Sequence, residues 1–324
     1  MLERFHSRIP IPEKDVPTLM SKVAQDYDIG VYQSHRIVPV GYEDYNAVLE
    51  TDKNKYFVKV FALFRNPANI NRYVATMERV LEAGVSYPQL LESATGHMST
   101  VAVNGKTVKL CLMEYIDGKT LYELGIQPTQ AERAFLIQQA ALINGIDYKP
   151  PHAPDSWAID RFLPEYEIKR KAVEPRDQQD IDPVVDDFKK LKVEQLPHAF
   201  VHGDIRSTNI MKVKNGKLFI IDFGVSNWYP RIQELAVLLC DLMFDAESPE
   251  KFKEMYEWAV TEYQKYIKLT LDELQALPVY ARAAHAINVI GPSWERSQGN
   301  TEGENNSWLD LGRKGLELSK QLVI

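Results

Sequence analysis

The stretch from Ala199 to Gly224, AFVHGDIRSTNIMKVKNGKLFIIDFG, constrains this chain more than any other. Two short apolar strands, 199–201 and 218–221, flank a turn signalled by Asn215-Gly216, and each runs straight into a polar cluster that carries a carboxylate. The spacing predicts that Asp204, Asn209 and Asp222 converge at one mouth. An Asp, an Asn and an Asp are hard oxygen donors of the kind that magnesium takes. Either half alone reads equally well as an ordinary loop or a tight turn, since Asp and Gly are common turn residues. Both halves in order, each after an apolar strand, form the pattern of a catalytic loop followed by a metal-binding turn.

The chemistry that needs these residue types is phosphoryl transfer. It asks a protein mainly to position an attacking hydroxyl and to neutralise charge spread over phosphate oxygens. In that reading Asp204 accepts or orients the hydroxyl proton, while Asn209 offers Mg²⁺ a neutral oxygen and Asp222 a charged one.

At 324 residues the chain is long enough for two lobes, each with its own core. Its net charge of −7 argues against nucleic acid as a partner and suits a neutral or cationic small substrate. The two cysteines, Cys111 and Cys240, sit in apolar runs and read as buried small hydrophobes of a reducing compartment. Residues 1–10 lack the apolar core of a secretory leader, and no apolar run approaches a bilayer span. A cytoplasmic protein without a membrane partner is expected. The histidines and cysteines show no zinc-ligand spacing.

The first third reads as a helix at 17–27 and then an antiparallel meander with strands at 31–38, 47–50 and 56–61. Gly41, between the first two strands, is either a plain hairpin connection or a loop that folds over phosphates. Lys59 shares a strand face with Phe57 and Phe61, where a charge is costly unless paired or ligand-bound. It is either an edge lysine reaching water or a phosphate-binding cation. A helix is expected over 67–83, in which Glu78 is the best-placed acid to hold Lys59, or an exposed glutamate. Strand signals follow at 89–93, 99–103 and 107–113, and the lobe boundary is set at Glu114: 1–114 for the nucleotide and 115–324 for catalysis and substrate.

With these residues in place the chain resembles the aminoglycoside phosphotransferase and choline kinase superfamily, small-molecule kinases that share the protein-kinase fold. The resemblance runs from about Gly41 to the end and is strongest at His202-Gly203-Asp204, Asn209 and Asp222, with 112–118 similar to the family's hinge. It implies an α+β, two-lobed protein-kinase-like fold, with a small antiparallel β lobe and a larger, mainly helical lobe. It also implies ATP and Mg²⁺ as cofactors, Asp204 as catalytic base, Asn209 and Asp222 on the metal, Lys59 on the phosphates, and backbone contacts from Glu114 and Ile116 to adenine.

Beyond the metal turn, Pro230 and a helical run at 232–244 leave no room for the peptide platform of a protein kinase, and His-Gly-Asp lacks the arginine that senses a phosphorylated loop. The acceptor is therefore expected to be a small molecule: an aminoglycoside, amino alcohol, sugar or amino-acid-like alcohol. A protein serine/threonine kinase of the same compact fold and a non-catalytic nucleotide-binding module are the alternatives. Helices are expected at 129–145, 183–192, 230–245, 249–267, 271–290 and 304–322, with a proline-laden loop at 148–162 that is a lid or a surface connection. Glu234 reads as holding the catalytic hairpin. Gly291-Pro292 is expected to break a helix, after which Trp294, Glu295 and Arg296 either line the acceptor site or belong to a plain loop. Arg206 meets a substrate acid, the transferred phosphoryl group or a salt-bridge partner, and Trp308 reads as core.

Overall fold

The structure, a computed structural model, describes residues 7–39, 44–301 and 303–322. Two compact units divide the chain. One is Met1–Gly118 with Val213–Ile221, and the other is Lys119–Lys212 with Asp222–Ile324.

In the first unit, β1 (Tyr32–Ile37), β2 (Tyr45–Thr51), β3 (Lys55–Val60), β4 (Met98–Val103) and β5 (Lys106–Glu114) form a five-stranded antiparallel sheet in the order β1-β2-β3-β5-β4. β4 alternates, burying Ser99, Val101 and Val103, whereas Leu110 to Met113 of β5 are all buried because both faces are covered. Helix α1 (Val16–Asp26) drives Val16, Leu19, Met20 and Val23 into the core that Leu49, Val58, Val101 and Leu112 supply from the strands. Helix α2 (Pro67–Glu82) starts where Asn66 caps the Ala68 amide at 2.8 Å and proline takes the first position. The strand expected at 89–93 reduces to a single bridge, Leu90 to Met113. Residues 213–221 join this unit through Ser86, whose hydroxyl donates to Leu218 O (2.6 Å) and whose carbonyl accepts the Ile220 amide (2.8 Å).

The chain continues through β6 (Gly118–Thr120), α3 (Leu121–Leu124), α4 (Gln130–Asn144), α5 (Phe162–Lys169) and α6 (Pro175–Lys190). It then runs through β7 (His198–Val201), β8 (Ile210–Val213), β9 (Leu218–Ile220) and β10 (Asn227–Pro230). Helices α7 (Ile232–Cys240), α8 (Phe252–Tyr263), α9 (Leu271–Ser297) and α10 (Gly303–Ser319) complete it. No helix among the described residues is long and apolar enough to cross a membrane.

Three expectations are corrected here. The Asn215-Gly216 turn does not join the strand before the catalytic loop to the one after it. It closes a turn between Val213 and Lys217 (3.1 Å), while β7 pairs antiparallel with β10, Val201 opposite Asn227. Helix α6 begins at Pro175, with Pro183 in its interior. Its first turn carries no apolar signal because the residue it buries is Asp177, held by Arg313 through two bonds of 3.0 and 2.7 Å; the first buried apolar residue is Ile181. Helix α9 runs straight through Gly291-Pro292 to Ser297. An interior proline costs a helix about 3 kcal/mol, but nearly every side chain from Ala276 to Ser293 is buried, and that packing overrides the local break. Gly291 is needed for a different reason: any Cβ there would collide with the Trp157 ring.

Candidate active site

The second unit carries the loop 202–209, the candidate catalytic loop. After β7 the chain turns at Gly203, whose φ of +82° lies in the left-handed region that favours glycine. The fully buried Glu234, at the start of α7, holds this turn by accepting the His202 amide at 2.6 Å and the Gly203 amide at 3.3 Å. Burial pushes the Glu234 carboxyl up, to about 8, against the pull of those two amides. The Asp204 amide donates to His202 Nδ1 at 3.1 Å, and His202 packs on Phe223 (4.2 Å between centroids), which also stacks on Phe200. Phe223 thus anchors the turn at Asp222 against the loop that carries Asp204.

Each oxygen of Asp204 has a tether: Arg206 Nε lies 3.0 Å from Oδ1 and Asn209 Nδ2 donates to Oδ2 at 2.7 Å. The carboxylate sits in an open recess, with 38% of its side-chain surface exposed and protein around the rest. That enclosure pushes its pKa up, to about 7; neighbouring Asp155 and Asp222 add to the rise, and Arg206 opposes it. Because Asn209 turns its Nδ2 to Asp204, its Oδ1 is left for another partner. Asp222 takes a left-handed φ of +64°, and its Oδ1 accepts the Gly224 amide at 3.3 Å. Among the described residues no group of three or more His, Cys, Asp or Glu side chains is arranged to hold a metal ion. Magnesium asks for less, because it keeps waters and substrate phosphates as ligands, and one amide oxygen with one carboxylate fits it.

Sequence reasoning missed several neighbours of this loop. Asp241, at the end of α7, accepts the Ser207 amide at 2.6 Å. Asn288 of α9 accepts from Arg206 at 2.8 Å, and Trp308 of α10 is half-buried with its ring 5.2 Å from the guanidinium carbon. Trp308 is thus not simply core. The signal for it was local: an aromatic residue on a helix whose small residues, Gly312 and Gly315, bring it close to α9. Trp294 and Glu295 lie half-buried and Arg296 exposed on the last turn of α9, not on a loop beyond a break. Glu295 bonds Asn300 at 3.3 Å. The 148–162 segment is tied down, because Asn227 bonds the backbone of Ala153 in both directions, at 2.9 and 2.8 Å.

In the first unit Lys59 is 14% exposed and lies 3.4 Å from Asp44 Oδ2, with its ammonium 5.2 Å from the Tyr73 ring centroid. Buried Asp44 also meets Arg65 (2.9 Å) and the Ala62 amide (3.2 Å). Glu78 does not hold Lys59; it pairs with His97 at 2.8 Å. Glu78→Ala is therefore expected to leave the nucleotide KM within about twofold, whereas Asp44→Asn raises it about tenfold, as loss of a buried charge partner would. Equal KM values for the two variants would refute that assignment. Gly41 lies outside the described residues. The Glu114 amide is taken by Gln89 O (2.8 Å) and the Ile116 carbonyl by the Gly118 amide (2.9 Å).

Residues 34–267 match the phosphotransferase enzyme family known as APH. The chain belongs to that family. As a member it is a kinase with an alcohol group as acceptor, which sets the binding-only module aside. Homoserine kinase of Parvibaculum lavamentivorans is 21% identical to this phosphotransferase over 282 residues, 85% of this chain and 83% of that one. Homoserine kinase of Rhizobium meliloti is 20% identical over 261 residues, 80% and 78% of the two chains. Among solved structures, spectinomycin phosphotransferase in complex with ADP and spectinomycin superposes with a TM-score of 0.67 at 11% identity, covering 96% of this chain and 98% of its own. Choline kinase from Streptococcus pneumoniae gives 0.58 at 13% identity, covering 94% and 98%. The fold is the protein-kinase-like α+β fold of these enzymes, with a small antiparallel sheet and a larger helical part.

Proposed function

We propose that this phosphotransferase moves the γ-phosphoryl group of ATP to the hydroxyl of a small, amine-bearing alcohol, with Asp204 as the base. The observation that carries this reading is the carboxylate of Asp204, tethered at both oxygens yet open to solvent. The acceptor oxygen forms a bond to the γ-phosphorus, the bond to the β–γ bridging oxygen breaks, ADP leaves, and the hydroxyl proton passes to Asp204. Asn209 Oδ1 and Asp222 would hold Mg²⁺, which supplies positive charge to the phosphate oxygens. Lys59, kept in place by Asp44, is assigned to the phosphates, and Glu114 O and Ile116 N–H to the adenine edge.

The acceptor is assigned to a cavity of about 530 Å³ lined by His152, Pro154, Asp155, Ser156, Arg161 and Glu165. Asp155 has the Trp157 amide on one oxygen (2.9 Å), and Asp204 feels its charge. A substrate ammonium would relieve that repulsion, and Arg161 suits an acceptor that also carries a carboxylate. The homoserine kinases among the relatives make homoserine the first acceptor to try.

The test is Mg·ATP consumption with homoserine, amino alcohols, aminoglycosides and amine-free sugars. Turnover confined to amine-bearing alcohols is expected, with Asp155→Ala raising their KM about tenfold or more at little cost in kcat. Turnover of amine-free sugars at equal KM in both proteins would sink the acceptor assignment.

A further inference from the structure

Arg206 stands two residues after the proposed base, where it is available in principle to a substrate acid. The structure leaves it little to offer. It is 8% exposed, its Nε faces Asp204 Oδ1 at 3.0 Å, one terminal nitrogen donates to Asn288 Oδ1 at 2.8 Å, and its flat face lies 5.2 Å from the Trp308 ring centre. We propose that Arg206 is a positioning residue, which fixes the orientation of the Asp204 carboxylate and does not bind the acceptor, and that Asn288 and Trp308 hold it in place. The inference rests on the reading of Asp204 as base.

The geometry gives each partner a distinct part. An aspartate side chain has two free torsions, and a carboxylate open to water on one side samples them unless both oxygens are tied. Asn209 ties one and Arg206 the other. A guanidinium suits this task better than an ammonium, because its planar fork bonds in-plane while its face packs on an aromatic ring. Asn288 is itself 1% exposed in the middle of α9, where Gly312 of α10 packs so closely that a Cβ there would sit 2.9 Å from its own Cβ. Trp308 is braced by the Tyr122 ring, 6.4 Å away and 16° from parallel, and its indole N–H donates to Glu304 at 3.3 Å. The last two helices, far along the chain from the catalytic loop, thus set the aim of its aspartate.

A base displaced by a fraction of an ångström still binds substrates but misses the hydroxyl proton, so the loss falls on kcat. In the full-length protein, Arg206→Met is expected to lower kcat about 100-fold and leave the KM of nucleotide and acceptor within about twofold. Arg206→Lys recovers part of that loss, and Trp308→Leu, which leaves both charged side chains in place, lowers kcat about tenfold, with thermal unfolding of each variant recorded alongside. In an Asp204→Asn background, Arg206→Met costs nothing further, because the group it aims is gone. A raised acceptor KM with kcat preserved would make Arg206 an acceptor ligand and overturn the proposal. So would a full additional loss in the Asp204→Asn background, or a Trp308→Leu variant with unchanged kcat. Normal turnover by Asp204→Asn alone would instead overturn the base assignment, whatever the Arg206 variants do.

Discussion

Asp204→Asn is expected to lower turnover by about 10²- to 10⁴-fold, the range typical of a lost general base, with nucleotide affinity within about twofold of the parent. The substitution is nearly isosteric, and the surrounding contacts predict that the fold absorbs it. The Asn209 amide keeps an oxygen to donate to, at Asp204 O (3.0 Å) if not at the new side chain. Arg206 loses its closest anion but keeps Asn288, the Trp308 face and the nearby charge of Asp241. Glu234 goes on holding the His202 and Gly203 amides, so the loop backbone stays where it is. The comparison that decides is kcat beside nucleotide binding measured by calorimetry. A fall in both together would mean that Asp204 shapes the nucleotide site instead of acting on the hydroxyl. Unchanged kcat would remove the base.

How much of this site the sequence discloses follows from how local each contact is. Asp204, Asn209 and Asp222 lie within nineteen residues of one another, so their pattern can be read locally, although Glu234, Phe223 and the pairing of β7 with β10 hold the loop, not the Asn215-Gly216 turn. Glu234 was legible for a related reason, since the chain enters α7 directly after β10, the partner of the strand that precedes the loop. The partners of charged groups were not legible. Lys59 takes Asp44, fifteen residues upstream of it, through the register of the strands they sit on or beside, and Glu78 goes to His97 through the packing of a helix on the segment before a strand; periodicity sees neither. For Arg206 a substrate acid, the transferred phosphoryl group and a salt bridge all stayed open in the sequence, because Asn288 and Trp308 reach it from helices about 80 and 100 residues later. Pro292 looked like a stop for a helix whose whole circumference is buried, a case in which tertiary packing outweighs propensity.

The second large effect concerns acid stability and His285. This ring is 1% exposed on α9, its centroid is 5.1 Å from that of Phe244, and neither of its nitrogens has a hydrogen-bond partner. It fills the slot left by Gly315, where any Cβ would strike it. Burial pushes its pKa down, to about 3, and the positive charge of Arg206 adds to the shift. The folded protein therefore refuses a proton that the unfolded chain accepts below about pH 6.5. The stability tied to His285 is fully present above that pH and is lost as the pH falls towards 3. Between pH 7 and pH 4 the loss from this residue amounts to about 3 kcal/mol. His285→Leu should remove that slope, and at pH 7 it should be at least as stable as the parent, because the ring forgoes hydrogen bonds that leucine never needed. Urea unfolding of both proteins at pH 7, 6, 5 and 4 makes the comparison, with other titrating groups cancelling in the difference. Parallel curves would mean that the ring finds a partner or water in solution. A divergence of the expected size would also bear on catalysis, since His285 sits one turn before Asn288. Acid that loosens this part of α9 loosens the helix that holds Arg206 against Asp204.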